Sequence, residues 1–343
     1  MTDTLQAMPT LDGLARLLAV YRGHRAWIVP MTSADGTTAL GNNGDRIMHE
    51  VFHRILARFD IVVVGSAAEA DFLAVPPNGA LLEVYQFPEL LAERIRGAEA
   101  KPLVIFPSST LFPHRDPAFM FRGRTAPTLW ITRERYSSEH LRTMWSGSLA
   151  DAGVTVVLDH DVVASGHEFV PGLVGGNGGG GGLLVAGRKD KEAADLRGVA
   201  GTPRLAAPRP PASAARQTLA AAKRLVPYGP WYTAAARFAR RRQLTAAADA
   251  LLASLPEGLR DELAGIPRGR AVDLSAVQYA TYREYLATLR RADAVVTNRL
   301  HVALPAAILG KRVVLVEAGY HKLQGVYEQS LSALPNVELV GAR

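Results

Sequence analysis

The chain has 343 residues, 48% hydrophobic and 21% charged, enough for two domains that each bury a core. It has no cysteine, which excludes a disulfide framework, thiol chemistry and any cysteine-ligated metal. The net charge of +7 is regional: residues 197–242 hold ten Lys/Arg and no Asp/Glu, leaving −3 elsewhere. The N-terminal stretch MTDTLQAMPTLDGLARLLAV lacks a basic run followed by an apolar one, so no secretory signal is expected. No apolar run reaches the roughly 18–20 residues of a membrane span. A cytoplasmic protein is the expectation.

Along the first half, short apolar runs alternate with helical patterns. AWIVPMT reads as a strand, and residues 45–59 as a helix with Ile47, Val51, Phe52, Ile55, Leu56 and Phe59 on one face. DIVVVGS, KPLVIFPSS, TLWITRER and VTVVLDHD read as further strands. Short apolar strands separated by helices point to a parallel, doubly wound sheet. The run GLVGGNGGGGG, residues 172–182, has no periodicity and reads as a flexible linker or loop. It lacks the spacing and the Gly-Lys-Ser/Thr ending of a phosphate-binding P-loop.

After it LLVAGRKDKEAADL restarts with a strand, and the basic segment 197–242 follows. From about residue 271 a second α/β stretch runs to the end. In it DAVVT and GKRVVLVEA are strands, and Leu300, Ala303, Leu304, Ala307 and Ile308 recur at helical spacing, with Gly310 placed to end the helix. The reading is two α/β domains with a cleft between them: residues 1–170, a glycine-rich connection over 171–182, and residues 183–343 with the basic insert.

The residues suited to chemistry sit at strand ends. Gly41-Asn42-Asn43-Gly44-Asp45 opens directly into the first helix. Asp45 suits an N-cap, whereas paired glycines and asparagines suit a loop whose backbone approaches a ligand. Arg133 and Arg135 alternate along TLWITRER, so at most one faces a cleft. Asp159, His160 and Asp161 end another strand; neighbouring strand residues diverge, so no metal site is expected there. Arg188 follows a strand in GRKDKE. Arg299 and His301 lie between a core strand and an apolar helix, where open α/β sheets bind ligands and helix N-termini attract phosphate.

Taken together, GNNGD, ITRERYSSEHL, LDHDVV, LLVAGRKDKEAA and VVTNRLHVALPAAILGKRVVLV with YHKLQGVYEQSL resemble the polysaccharide pyruvyl transferase family. The resemblance covers roughly residues 36–190 and 271–335 and leaves the basic segment out. It implies a glycosyltransferase-B-like fold, two Rossmann-like domains facing a cleft. It also implies transfer of the enolpyruvyl group of phosphoenolpyruvate to sugar hydroxyls as a ketal, with no further cofactor. Arg299 would hold phosphate or carboxylate, and His301 would ligate phosphate or act as acid or base. Asp45 and Asp161 are candidate bases. Asn42, Asn43, Gly44, Arg133, Arg135, Arg188, His321 and Lys322 complete the expected substrate contacts. Where members of the family carry Asn-Gly-Asn-Leu, this chain has Asn78-Gly79-Ala80, and Pro305 stands inside the last helix, where it removes a hydrogen bond.

The expected partners are therefore phosphoenolpyruvate and a sugar or lipid-linked oligosaccharide acceptor. The basic segment, with Trp231, Tyr232 and Phe238, suits an anionic membrane surface, which would place the protein peripherally on the inner face. No nucleic-acid motif accompanies the charge, so nucleic acid is not expected. A nucleotide-sugar glycosyltransferase or a non-catalytic sugar-binding protein of the same fold are the alternatives, since fold alone does not fix activity.

Overall fold

Two parallel β-sheets carry the chain, in a computed structural model that describes residues 8–9, 12–31, 42–187, 230–317 and 322–341. The first sheet contains β1 (Arg25–Ile28), β2 (Val62–Val64), β3 (Phe72–Val75), β4 (Asn78–Leu82), β5 (Leu103–Leu111), β6 (Thr128–Thr132) and β7 (Val154–Leu158). Its order is β2-β1-β3-β5-β6-β7, and β4 pairs with β5 beyond the end of β3. The second holds β8 (Leu183–Ala186), β9 (Arg268–Ala271), β10 (Ala294–Thr297), β11 (Arg312–Val316) and β12 (Val337–Val340), in the order β12-β11-β10-β8-β9. In register, Val295 of β10 stands between Leu184 and Val313. Helix α1 (Asp12–Leu18) precedes β1, and α2 (Asn43–Arg58), α3 (Phe87–Arg94) and α4 (Arg135–Asp151) link strands of the first sheet. Two short helices, α5 (Val162–Ser165) and α6 (Val170–Val174), follow β7. The second sheet is served by α7 (Pro230–Ala253), α8 (Glu257–Ala264), α9 (Tyr282–Arg291), α10 (Leu300–Ile308) and α11 (Lys322–Val326).

The mixed α/β class with parallel sheets agrees with the sequence reading. Four strands escaped it: β3, β4, β9 and β12, each of four or five residues, and β3 is buried along its whole length, so it shows no alternation. Each sheet is covered on both faces, as parallel sheets require. One apolar cluster lies between the sheets and takes Phe52, Phe106 and Val162 from one side and Tyr285, Val295 and Ala303 from the other. A second cluster surrounds Trp130 on the far face of the first sheet. A third sets Ala248, Leu251, Leu259 and Leu263 of α7 and α8 against β8, β10 and β11.

Strand order reverses once in each sheet. In the first, the chain leaves β1 for β2 and returns to lay β3 on the opposite side; in the second, it leaves β8 for β9 and returns to lay β10 on the opposite side. The carboxyl ends of strands at such reversals are where open α/β sheets receive ligands. Helix α2 begins beyond the end of β1, and α10 begins just after β10. The two reversals are therefore marked by the N-termini of α2 and α10.

The glycine run that composition presents as flexible has defined partners on the second sheet. Lys311, almost fully buried, brings Nζ to Asn177 Oδ1 (2.7 Å), Gly178 O (3.2 Å), Arg290 O (3.0 Å) and Ala292 O (2.5 Å). Asp293 accepts the Gly180 and Gly182 amides at 2.8 Å each, and those amides hold its carboxyl below the ordinary range. Replacing Lys311 with Met keeps the aliphatic stem and strips the donor from several buried acceptors. The expected loss is about 2–4 kcal/mol of unfolding free energy, on the scale of unsatisfied buried polar groups. Urea denaturation measures it, and a change below about 0.5 kcal/mol, the usual range of an inert surface substitution, would contradict the anchoring role.

Candidate functional site

The turn from β10 into α10 is built from its own hydroxyl and an acid of the loop after β9. Thr297 Oγ1 donates to Ala186 O (2.7 Å) and accepts the Arg299 amide (3.0 Å), fixing the backbone where the strand ends. Arg299, the N-cap residue, turns its guanidinium to Asp273, with Nη2 2.7 Å from Oδ2. Both side chains are about nine-tenths buried, so this pair is shielded from solvent. His301 follows with φ −83° and ψ 18°, outside helical geometry, and interrupts the first turn of α10.

Pro305 explains that interruption. A proline has no amide hydrogen, so the carbonyl four residues earlier, that of His301, loses its helical donor. The Tyr285 hydroxyl of α9 donates to that carbonyl instead. Tyr285 is fully buried, and burial pushes its phenol well above the ordinary value, so the hydroxyl keeps its hydrogen. The kink expected at Pro305 thus falls one turn earlier, at His301.

Facing this turn is a buried ion pair of the first sheet. Arg133, directly after β6, is fully buried; its Nε donates to Ser109 Oγ (2.9 Å) and its Nη1 to Asp161 Oδ2 (2.7 Å). Asp161 caps α5 by accepting the Val163 amide on Oδ1 (2.9 Å). The same Oδ2 lies 3.3 Å from His301 Nε2. Burial alone would raise the Asp161 carboxyl; His301 and then Arg133 outweigh it and hold the group well below the usual carboxylate range. Arg133 Nη2 has no hydrogen-bond partner among the described residues and lies 2.8 Å from where a Cβ on Gly79 would stand. Lys322, at the start of α11, brings Nζ to the same place and to Gly79 O (3.5 Å). Any side chain at residue 79 would collide with both cations.

The first turn of α2 closes the other side. Asn42, not Asp45, is the N-cap: its Oδ1 accepts the Gly44 and Asp45 amides (2.7 and 3.2 Å). Asp45 completes a reciprocal capping box by accepting the Asn42 amide (3.0 Å) and Nδ2 (2.8 Å) on Oδ2. Asn42 takes the cap expected of Asp45, because either type can cap. Asn43 fastens α2 to the second sheet's loop, its Nδ2 donating to Leu274 O (3.0 Å) and Ala280 O (2.7 Å), and its amide to Ser275 O (2.8 Å). Gly44 is packed on His301, where a Cβ would stand 2.8 Å from His301 Cβ.

The structure therefore gathers Asn42, Asn43, Gly44, Asp45, Arg133, Asp161, Arg299, His301 and Lys322 around the junction of the sheets. Arg135 is not among them. The strand stops at Thr132, and Arg135 is the first residue of α4, exposed beside Glu139 (4.0 Å). The run Asp159-His160-Asp161 diverges, although β7 stops at Leu158 and all three residues lie in the turn that leads to α5. Asp159 packs on Gly13, His160 Nδ1 meets Ser330 Oγ at 3.1 Å, and only Asp161 enters the site. Gly41, Arg188, His321 and residues 197–229 of the basic segment lie outside the described residues. Three contributors went unread in the sequence: Ser109, Asp273 and Tyr285. Pro305 announces that the His301 carbonyl needs an outside donor, but nothing local says which side chain supplies it.

Parallel α/β architecture of this kind is shared with a crystal structure of a functionally uncharacterised protein from Klebsiella pneumoniae subsp. pneumoniae. The likeness covers 96% of this chain and 98% of that one, with a TM-score of 0.55 and 15% sequence identity, and it bears on the fold alone. No curated protein matches the chain. Residues 221–319 match the family model described as polysaccharide pyruvyl transferase, so the resemblance read from the motifs holds over that stretch. The matched stretch contains Arg299 and His301. It also takes in residues 221–270, which the motif resemblance leaves out, and stops short of the GNNGD and ITRERYSSEHL motifs.

The Tyr285–Pro305 relation is testable by a double-mutant cycle. Tyr285→Phe leaves the His301 carbonyl without a donor and is expected to lower stability by about 1–3 kcal/mol. Pro305→Ala supplies an amide four residues on, so in that background Tyr285→Phe is expected to be milder by at least about 0.5 kcal/mol. Strict additivity of the two substitutions in thermal or urea unfolding would show that they act separately.

Proposed function

We propose that the protein transfers the enolpyruvyl group of phosphoenolpyruvate to hydroxyls of a cell-surface polysaccharide or its lipid-linked precursor, forming a pyruvate ketal and releasing phosphate. One observation carries the reading. The Arg299–His301 turn, inside the stretch that matches the family, faces the buried Arg133–Asp161 pair and Lys322 at the junction of two parallel sheets. Phosphoenolpyruvate has a carboxylate and a phosphate, and three cations beside an imidazole suit such an anion. We read the sheets as two Rossmann-like domains in a glycosyltransferase-B-like arrangement, the first (1–170) holding the acceptor and the second (183–343) the donor.

In this reading Arg299 holds an anionic group of the donor, with Asp273 fixing the fork of its guanidinium. The imidazole of His301 moves protons, since its ring nitrogens can both give and accept one. A proton goes to the methylene carbon of the enol, and the oxocarbenium-like centre that results is attacked by a sugar hydroxyl. A second hydroxyl then displaces phosphate and closes the ketal. Asp45 suits the base role less well, since its Oδ2 is held in the helix cap.

Phosphoenolpyruvate at about a hundred times its Kd is expected to stabilise the fold by about 2.7 kcal/mol, seen as a raised Tm. Arg299→Lys is expected to abolish most of that rise and to cost about 2–4 kcal/mol of transition-state stabilisation, because a point charge does not replace the planar fork. Stabilisation by nucleoside diphosphates instead, with none by phosphoenolpyruvate, would favour a nucleotide-sugar glycosyltransferase.

We also propose that α7 rests on an anionic membrane surface that carries the acceptor. No helix among the described residues is long and apolar enough to cross a membrane. Trp231 and Phe238 of α7 are 90% and 81% exposed, lie seven residues apart and so share one helix face, and Arg242 extends that stripe one turn further. Arg240 and Arg241 beside it are also exposed. Binding to anionic vesicles at low salt and none to neutral vesicles is expected, weakened by combined Arg240→Gln, Arg241→Gln and Arg242→Gln. Protein that stays in the supernatant of anionic vesicles at low salt would make this face a solvated one.

A further inference from the structure

The two ring nitrogens of His301 have different surroundings. Nε2 faces Asp161 Oδ2 at 3.3 Å, inside the buried cluster with Arg133. Nδ1 has no hydrogen-bond partner among the described residues and lies on the Gly44 side, 3.5 Å from the point a Cβ on Gly44 would occupy. Gly44 keeps that space clear beside the first turn of α2.

Asp161 is bonded to a guanidinium at 2.7 Å and to a backbone amide at 2.9 Å, and its charged neighbours hold it in the ionised form. An ionised carboxylate only accepts hydrogen bonds, so the ring nitrogen facing it must carry a hydrogen. In a neutral imidazole the other nitrogen then presents a lone pair. Asp161 is also a poor base itself: it is fully buried, and its Oδ2 is already shared by Arg133 and His301.

We infer that Asp161 is the positioning residue of His301, fixing the Nε2–H tautomer, and that Nδ1 is the ring nitrogen that exchanges protons with the substrates. The second half rests on the pyruvyl-transfer reading. With both nitrogens protonated, Nδ1–H gives its proton to the methylene carbon of phosphoenolpyruvate. The electrons of the double bond form the new C–H bond, and C2 becomes the oxocarbenium-like centre. The sugar oxygen bonds to C2 and its proton returns to Nδ1. The second hydroxyl then replaces phosphate at C2, and its proton leaves with the phosphate. Nε2–H stays on Asp161 throughout, so a single site on the ring cycles.

Long-range 15N–1H correlation NMR on the wild-type protein reads the tautomer directly, with the His301 signals assigned by their loss in His301→Gln. A protonated Nε2 and an unprotonated Nδ1 in the neutral ring are expected; the opposite tautomer would overturn the inference. Asp161→Asn is expected to lower kcat about 10²-fold or more, on the scale of lost acid–base catalysis, with the Kd for phosphoenolpyruvate changed only a few-fold. An Asp161→Asn protein with wild-type kcat and an unchanged tautomer would also overturn it. If that variant does not fold, the wild-type spectrum alone decides. A wild-type protein with Nε2–H that neither binds nor consumes phosphoenolpyruvate would refute the pyruvyl-transfer reading and the role of Nδ1, and would leave Asp161 as the residue that orients the ring.

Discussion

A single buried carboxylate, that of Asp161, ties the first sheet to the histidine of the second. It stands in the turn between β7 and α5, neutralises Arg133 on its own sheet and reaches His301 across the junction. Three charged or chargeable groups removed from water are tolerable only together. Removing one partner of such a buried pair leaves an uncompensated charge and typically costs about 3–5 kcal/mol. Because the Asp161 carboxyl is depressed in the folded state, its stabilising contribution is fully present above the ordinary carboxylate range. It is lost as pH falls through the lower folded value. The His301 side of the junction is therefore complete only with both sheets in place.

Around that carboxylate the backbone departs from regular helix in a determined way. Pro305 withholds the donor that would have drawn the His301 carbonyl into α10, and Tyr285 takes its place. The residue is thereby free to hold φ and ψ that aim its ring at Asp161. On the opposite side Asn43 bonds α2 to the loop at Leu274–Ala280, and Gly44 lets that helix end come against the ring. The histidine is thus held by two helices, one proline and one carboxylate. This is the kind of support that keeps a reacting group within a narrow range of positions.

Much of the frame was legible in the sequence because it rests on local pattern. The strand–turn–helix at 294–308 shows its periodicity openly, and Arg299 and His301 stand out by being polar between two apolar elements. What was not legible depends on distance along the chain. Asp161 was read as a strand-end acid, but its partner His301 lies 140 residues away. Asp273 and Tyr285 act only through contacts with the 299–301 turn that no spacing rule reports. The cap fell to Asn42 and not to Asp45 because two residues with equal capping ability stand three apart, and the backbone, not their chemistry, selects between them. The partners of the glycine run were illegible for a related reason. Its own side chains order nothing, and the order comes from Lys311 and Asp293, more than a hundred residues on.

The most direct measurement of the central claim is a crystal structure of the protein with phosphoenolpyruvate. The ligand is expected between the first turn of α2 and the β10–α10 turn. Its anionic groups should lie within hydrogen-bond distance of Arg299 and of Arg133 or Lys322, and its methylene carbon beside His301. Ligand density at any other surface, with this junction occupied by water alone at saturating phosphoenolpyruvate, would contradict it.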